Sequence, residues 1–70
     1  MSSWPATEDK RLLAALERIG WRVKRQAGSH KMLAREGWPD YEFSFHDGDE
    51  LGRKILSRVG KHTGLRSEDL

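Results

Sequence analysis

The sequence predicts a small α+β domain in the order helix, three antiparallel strands, helix, with both helices packed on one face of the sheet. Three observations predict it. Apolar residues recur at helical spacing near each end of the chain, they alternate with a period of two through the middle, and glycine or proline stands at the changes of period. Seventy residues leave room for one core, so residues 1–70 read as a single domain with residues 1–6 as an N-terminal extension. A hydrophobic fraction of 36% and three tryptophans supply that core against a charged fraction of 34%.

The first element is "TEDKRLLAALERIGW". Leu12, Leu16 and Ile19 form a helical stripe, widened by Leu13 and Ala15, while Lys10, Arg11, Glu17 and Arg18 take the water side. The helix is expected over residues 7–19, with Thr7 as N-cap, Glu8 and Asp9 in the electropositive first turn, and Gly20 as a left-handed stop. Pro5 offers an alternative start two residues earlier.

From Trp21 the period becomes two. Strands are expected over 21–26, 30–36 and 41–46. "AGS" makes the first turn, and "EGWPD" the second. In "YEFSFH", Tyr41, Phe43 and Phe45 face one way and Glu42, Ser44 and His46 the other. Trp21, Val23 and the Tyr41 to Phe45 row are the expected buried side of the sheet. The middle strand does not reveal which of Met32 and Leu33 points inward. A second hairpin folding symmetrically about Trp38 would set His30 opposite His46.

The last helix is expected over 49–63. Asp47 or Asp49 would cap it and Gly64 would end it, with Leu65 folding back. Leu51, Ile55 and Val59 form its apolar stripe, with Leu56 beside them, and Lys54, Arg58 and Lys61 form a cationic one. Gly52 and Gly60 weaken this segment. The helix–three strands–helix order is that of the double-stranded-RNA-binding domain, an analogy of fold that implies no activity by itself.

A net charge of +2 conceals segmentation: residues 21–35 and 51–70 are mainly basic, and 36–50 are acidic without a base. A basic ribbon and a basic helix forming one positive face would gather phosphates; the same residues also read as ordinary solvated charge. With no cysteine there are no disulfides or thiolate metal sites. No stretch has the apolar length of a signal peptide core or a membrane span, so the cytoplasm is the expected compartment and no membrane partner is expected. No phosphate-binding glycine loop, carboxylate dyad or serine–histidine–aspartate arrangement is apparent, and the histidine spacing does not suit a metal.

"RQAGSHKML" holds the candidate chemistry. Histidine exchanges protons near neutrality, and cleaving RNA without a metal requires a base to take the 2′-hydroxyl proton and cations to stabilise the phosphoryl charge. His30 is the candidate base or acid. Lys24, Arg25 and Lys31 are the candidate cations, Ser29 could orient a phosphate, and Gly28 would let the backbone approach it. Periodicity alone leaves open that His30 is a turn residue, that His46 only caps or pairs with a carboxylate, and that His62 is a helix-surface residue. Trp38 could stack on a base or belong to the core, rim or turn.

The ordered set "LERIGWRVKRQAGSHKML", "FSFHDGDEL" and "KHTGLRSEDL" resembles the HicA family of bacterial toxins over about residues 9–70. That resemblance implies a small mRNA interferase of double-stranded-RNA-binding-domain-like fold, with no cofactor, acting on single-stranded messenger RNA and neutralised by a HicB-like antitoxin. It implies that His30 is catalytic, that Gly28 and Ser29 complete its motif, and that His46 is a recurring strand-end histidine, a possible accessory. Lys24, Arg25, Lys31, Lys54, Arg58 and Lys61 are then the expected RNA contacts. The chain departs from the pattern at Lys54-Ile55, where many members have Gly-Thr, and at Phe45, where proline is frequent; residues 1–5 lie outside it. The alternatives are a double-stranded-RNA-binding module without catalysis, although "DELGRKIL" lacks the dense lysine cluster of such modules, and a protein whose cationic face binds only another protein.

Overall fold

Two glycine-terminated helices and a twice-folded ribbon account for most of the backbone. The computed structural model describes residues 4–44 and 50–70, arranged as β1 (Thr7–Glu8), α1 (Asp9–Arg18), β2 (Arg22–Ala27), β3 (His30–Ala34), β4 (Tyr41–Ser44), β5 (Glu50–Leu51), α2 (Arg53–Thr63) and a final 3-10 turn (Ser67–Asp69). The main sheet is antiparallel in the order β2-β3-β4. Leu12, Ala15 and Leu16 of α1 and Leu56 and Val59 of α2 share one core with Trp21, Leu33, Leu51 and Leu65, and Tyr41 and Phe43 pack against it. Both helices therefore cover the same face of the sheet, as the α-β-β-β-α reading expects.

α1 starts at Asp9 rather than Thr7, because Thr7 and Glu8 form an antiparallel ladder with Leu51 and Glu50. The extended N-cap is Glu8, without a side-chain cap; instead the Asp9 carboxylate accepts from the Lys10 backbone N–H at 2.8 Å. The same ladder holds Leu51 in β5, so α2 starts at Arg53 after Gly52. The proposed caps Asp47 and Asp49 lie outside the described residues, as do Phe45 and His46. At its other end, α1 closes with Gly20 N–H to Glu17 C=O at 3.1 Å and Trp21 N–H to Leu16 C=O at 3.0 Å, the paired bonds of a Schellman stop with Gly20 at φ 109°.

The buried stripe of α2 is Leu56, Val59 and Thr63: Val59 and the neighbouring Leu56 are buried as expected, whereas Leu51 is buried from β5 and Ile55 is 43% exposed. Thr63 is accommodated because its hydroxyl donates to the Val59 carbonyl at 2.7 Å, as a buried polar group requires. The Thr63 carbonyl accepts from Trp21 Nε1 at 2.9 Å, which fastens the end of α2 to the start of the ribbon. Leu65 returns to the core after left-handed Gly64.

The register corrects the symmetric hairpin. His30 pairs with Ser44, Lys31 with Phe43, Met32 with Glu42 and Leu33 with Tyr41, so His30 is not opposite His46. The reversal comes early because Gly37, at φ 85°, takes the left-handed place in a turn closed by Trp38 N–H to the Arg35 carbonyl at 3.0 Å. The displacement is two residues, an even number, so every β4 side chain keeps its expected face. Leu33 points inward and Met32 outward, since Leu33 is buried in the row with Tyr41.

Between Val23 and Arg25 the β2–β3 register shifts by one residue, leaving Lys24 as a bulge. Beyond it the alternation of β2 reverses. Val23 pairs with Leu33 on the inner face, but Arg25 pairs with Met32 on the outer face. Val23 is 37% exposed rather than buried, because β2 is an outer strand of the sheet whose residues are all exposed.

Candidate functional site

The hairpin between β2 and β3 turns through two residues, Gly28 and Ser29, since Ala27 pairs directly with His30. Gly28 has φ 60° while Ser29 does not adopt a positive φ, the pattern of a type II′ turn, which suits the twist of a ribbon. The space beside Gly28 is open, so backbone conformation rather than crowding favours glycine there. Gln26 Nε2 donates to the Gly28 carbonyl at 3.1 Å and ties the turn to its strand.

His30 follows this turn on the face of the sheet that carries no helix. It is exposed, and its Nδ1 lies 3.0 Å from Ser44 Oγ across the β3–β4 pair. That contact orients the imidazole. Where the hydroxyl accepts from Nδ1–H, Nε2 carries the lone pair of a base; where the hydroxyl donates, Nε2 carries the proton of an acid. No described residue bonds to Nε2. The bulge brings Arg25 to the same face, diagonal to His30, where a regular strand would have continued to place it beside Val23.

Two of the expected cations are elsewhere. Lys24 Nζ bonds Asp40 Oδ2 at 2.7 Å, at the far end of the ribbon from the Gly28–Ser29 turn. Lys31 pairs with Phe43 in the inner row, opposite the face that bears His30. Ser44 was not anticipated as the partner of His30, because the hairpin register needed to find it depends on the Gly37 turn.

Lys54, Arg58 and Lys61 do come together. They line an open groove of about 670 Å³ on the solvent side of α2, together with Arg53, Ser57 and His62 from the same helix and Trp4 from the N-terminal extension. The expectation of one positive face is thus replaced by two basic areas on opposite sides of the sheet. β4 adjoins both. His62 stacks on Tyr41 with ring centroids 5.3 Å apart, while Ser44, three residues on, meets His30. Burial raises the pKa of Tyr41 above the ordinary phenol value, and the nearby Arg58 guanidinium acts in the opposite direction.

Trp38 is 37% exposed and packs through part of its ring. Its ring lies edge-on to Trp21 at 6.0 Å, Arg35 covers it at 5.1 Å, and a Cβ at Gly64 would come within 2.9 Å of it. Among the described residues, no three histidine, aspartate or glutamate side chains converge as a metal site would need, and no helix is long and apolar enough to cross a membrane.

No curated protein and no solved structure matches the chain. A family model described as the HicA toxin of bacterial toxin-antitoxin matches residues 10–65, which takes in α1 from its second residue, the entire ribbon and α2. The chain therefore belongs to the HicA family and is the toxin of a toxin–antitoxin system, with a cognate antitoxin as its partner.

Proposed function

We propose that the toxin is an endoribonuclease that cleaves messenger RNA by acid–base chemistry at His30, and that its antitoxin silences it by covering that residue. The observation that carries this reading is the exposed imidazole held through Nδ1 by Ser44 at 3.0 Å, on a helix-free face that also bears Arg25.

With Nε2 unprotonated, the ring removes the proton of a ribose 2′-hydroxyl. The resulting oxygen attacks the adjacent phosphorus, the bond from phosphorus to the 5′-oxygen breaks, and that oxygen takes up a proton as it leaves. The products are a 2′,3′-cyclic phosphate and a 5′-hydroxyl. Arg25 and the backbone N–H groups around Gly28 and Ser29 are suited to the charge that develops on the phosphoryl oxygens, with the Ser29 hydroxyl orienting them. Lys54, Arg58 and Lys61 hold the phosphates of the strand at a distance from the chemistry, around the β4 edge.

The test incubates purified wild-type and His30→Ala protein with single-stranded RNA in chelator. Wild type is expected to cleave and leave cyclic phosphate ends, and the variant is expected to keep the wild-type circular dichroism and lose cleavage. Retained cleavage by a contaminant-free variant refutes the role of His30. Adding the antitoxin should protect the RNA; undiminished cleavage by the complex refutes the proposed mode of silencing.

A further inference from the structure

Trp4 precedes the segment that the family model covers, yet it forms one wall of the α2 groove. Its seat depends on Gly60. A Cβ at that helical position would stand 2.7 Å from Trp4 Cζ2, so the missing side chain is what lets the indole lie against the helix. Trp4 is only half-buried, and the part of the ring not used for packing faces a space rimmed by Arg53, Lys54, Arg58 and Lys61.

An aromatic surface within reach of several cations is matched to a base with its flanking phosphates. Bases within a duplex are already stacked on their neighbours, whereas an unpaired base presents a free face to an aromatic ring. A volume of about 670 Å³ also lies in the range of pockets that take small organic ligands. Cations alone would equally suit an acidic peptide; the indole set among them favours a nucleotide.

We propose that the groove is a nucleotide-binding subsite, in which Trp4 stacks an unpaired base of the RNA strand and Lys54, Arg58 and Lys61 take the phosphates on either side. The proposal rests on RNA being the substrate, and it adds to that reading a specific base contact from the N-terminal extension. The subsite would hold one stretch of a strand while a neighbouring stretch lies across His30.

Binding is measured in the full-length His30→Ala background, by fluorescence anisotropy of a short labelled single-stranded oligoribonucleotide. Trp4→Ala is expected to weaken binding roughly five- to a hundredfold, the span found when a base-stacking ring is removed. Trp4→Phe, which keeps a ring, is expected to weaken it less and to remove the RNA-dependent quenching of tryptophan fluorescence. Ser57→Glu changes an exposed position in the groove without disturbing its packing and is expected to weaken binding as well. Unchanged affinity in both Trp4→Ala and Ser57→Glu overturns the proposal, as does a groove that these changes close to an acidic peptide but not to RNA. Free AMP binding as tightly as the oligonucleotide overturns recognition of a strand. The two readings fail separately: RNA bound through Trp4 but never cut by wild type removes the nuclease, and cleavage with RNA binding indifferent to Trp4 and Ser57 removes the subsite.

Discussion

Neutralising the α2 stripe tests quantitatively the proposal that it holds an RNA strand. Lys54, Arg58 and Lys61 are exposed and line one groove, and none sits in the buried stripe of Leu56, Val59 and Thr63. Glutamine has nearly the helix propensity of lysine and arginine, so the triple change Lys54→Gln, Arg58→Gln, Lys61→Gln should leave the helix intact. Each cation that neutralises a phosphate of a single strand contributes about 0.7 to the slope of log affinity against log salt, so three contribute about 2. Between 50 and 200 mM salt, the parent should then lose about twentyfold more affinity than the triple variant. The assay is anisotropy with labelled single-stranded RNA across that salt range, in the His30→Ala background. Arg66→Gln serves as the control, because Arg66 already faces Glu68 and Asp69 at 4.0 and 3.9 Å, away from the groove. An unchanged slope, or equal weakening at every salt concentration, refutes the assignment of these three residues to phosphate.

Two predictions concern the scaffold. Trp21→Phe leaves the buried Thr63 carbonyl without its donor, a loss of about 1–3 kcal/mol; in a domain of this size it should lower Tm by about 5–20 °C, read by circular dichroism, and a shift of a degree or less would mean that the bond does not fasten α2. Tyr41, the sole tyrosine, should titrate above its ordinary value of 10.0, seen as a high phenolate midpoint by absorbance. Because the folded pKa is the higher one, its contribution to stability is complete below the unfolded value and fades as pH rises through the folded value; a midpoint at or below that of free tyrosine would contradict its burial.

Periodicity made much of this arrangement legible. The stripes of α1, the alternation in Tyr41 to Ser44 and the glycine stops at Gly20 and Gly64 are local signals, and each element formed where its period runs. Periodicity does not single out His30; its proton chemistry beside cations and the resemblance of its Gly-Ser-His motif do, and the two-residue turn that exposes it emerges only from the pairing of Ala27 with His30. What stayed hidden depends on contacts distant in sequence or on one backbone angle. The left-handed Gly37 moves the hairpin by two residues and so selects Ser44 rather than His46 as the partner of His30. The bulge at Lys24 transfers Arg25 to the face that bears His30, though no run of residue types announces an extra residue in a ladder. Ile55 was misread because a strand ladder at Leu51 ends the apolar stripe from which its position was counted. The groove needs Trp4 and Gly60 together, residues separated by nearly the whole length of the chain.

The two-residue clasp between Thr7–Glu8 and Glu50–Leu51 makes the molecule sensitive to trimming at its leading end. Trp4 is three residues upstream of Thr7, a tether of about 10 Å at most, so loosening the clasp frees the indole as well. A protease that nicks the stretch before Asp9 would strip away one wall of the groove and release the strand that holds Leu51. A preparation containing clipped and intact chains would therefore behave as two populations, differing in the α2 groove and in the anchorage of Leu51.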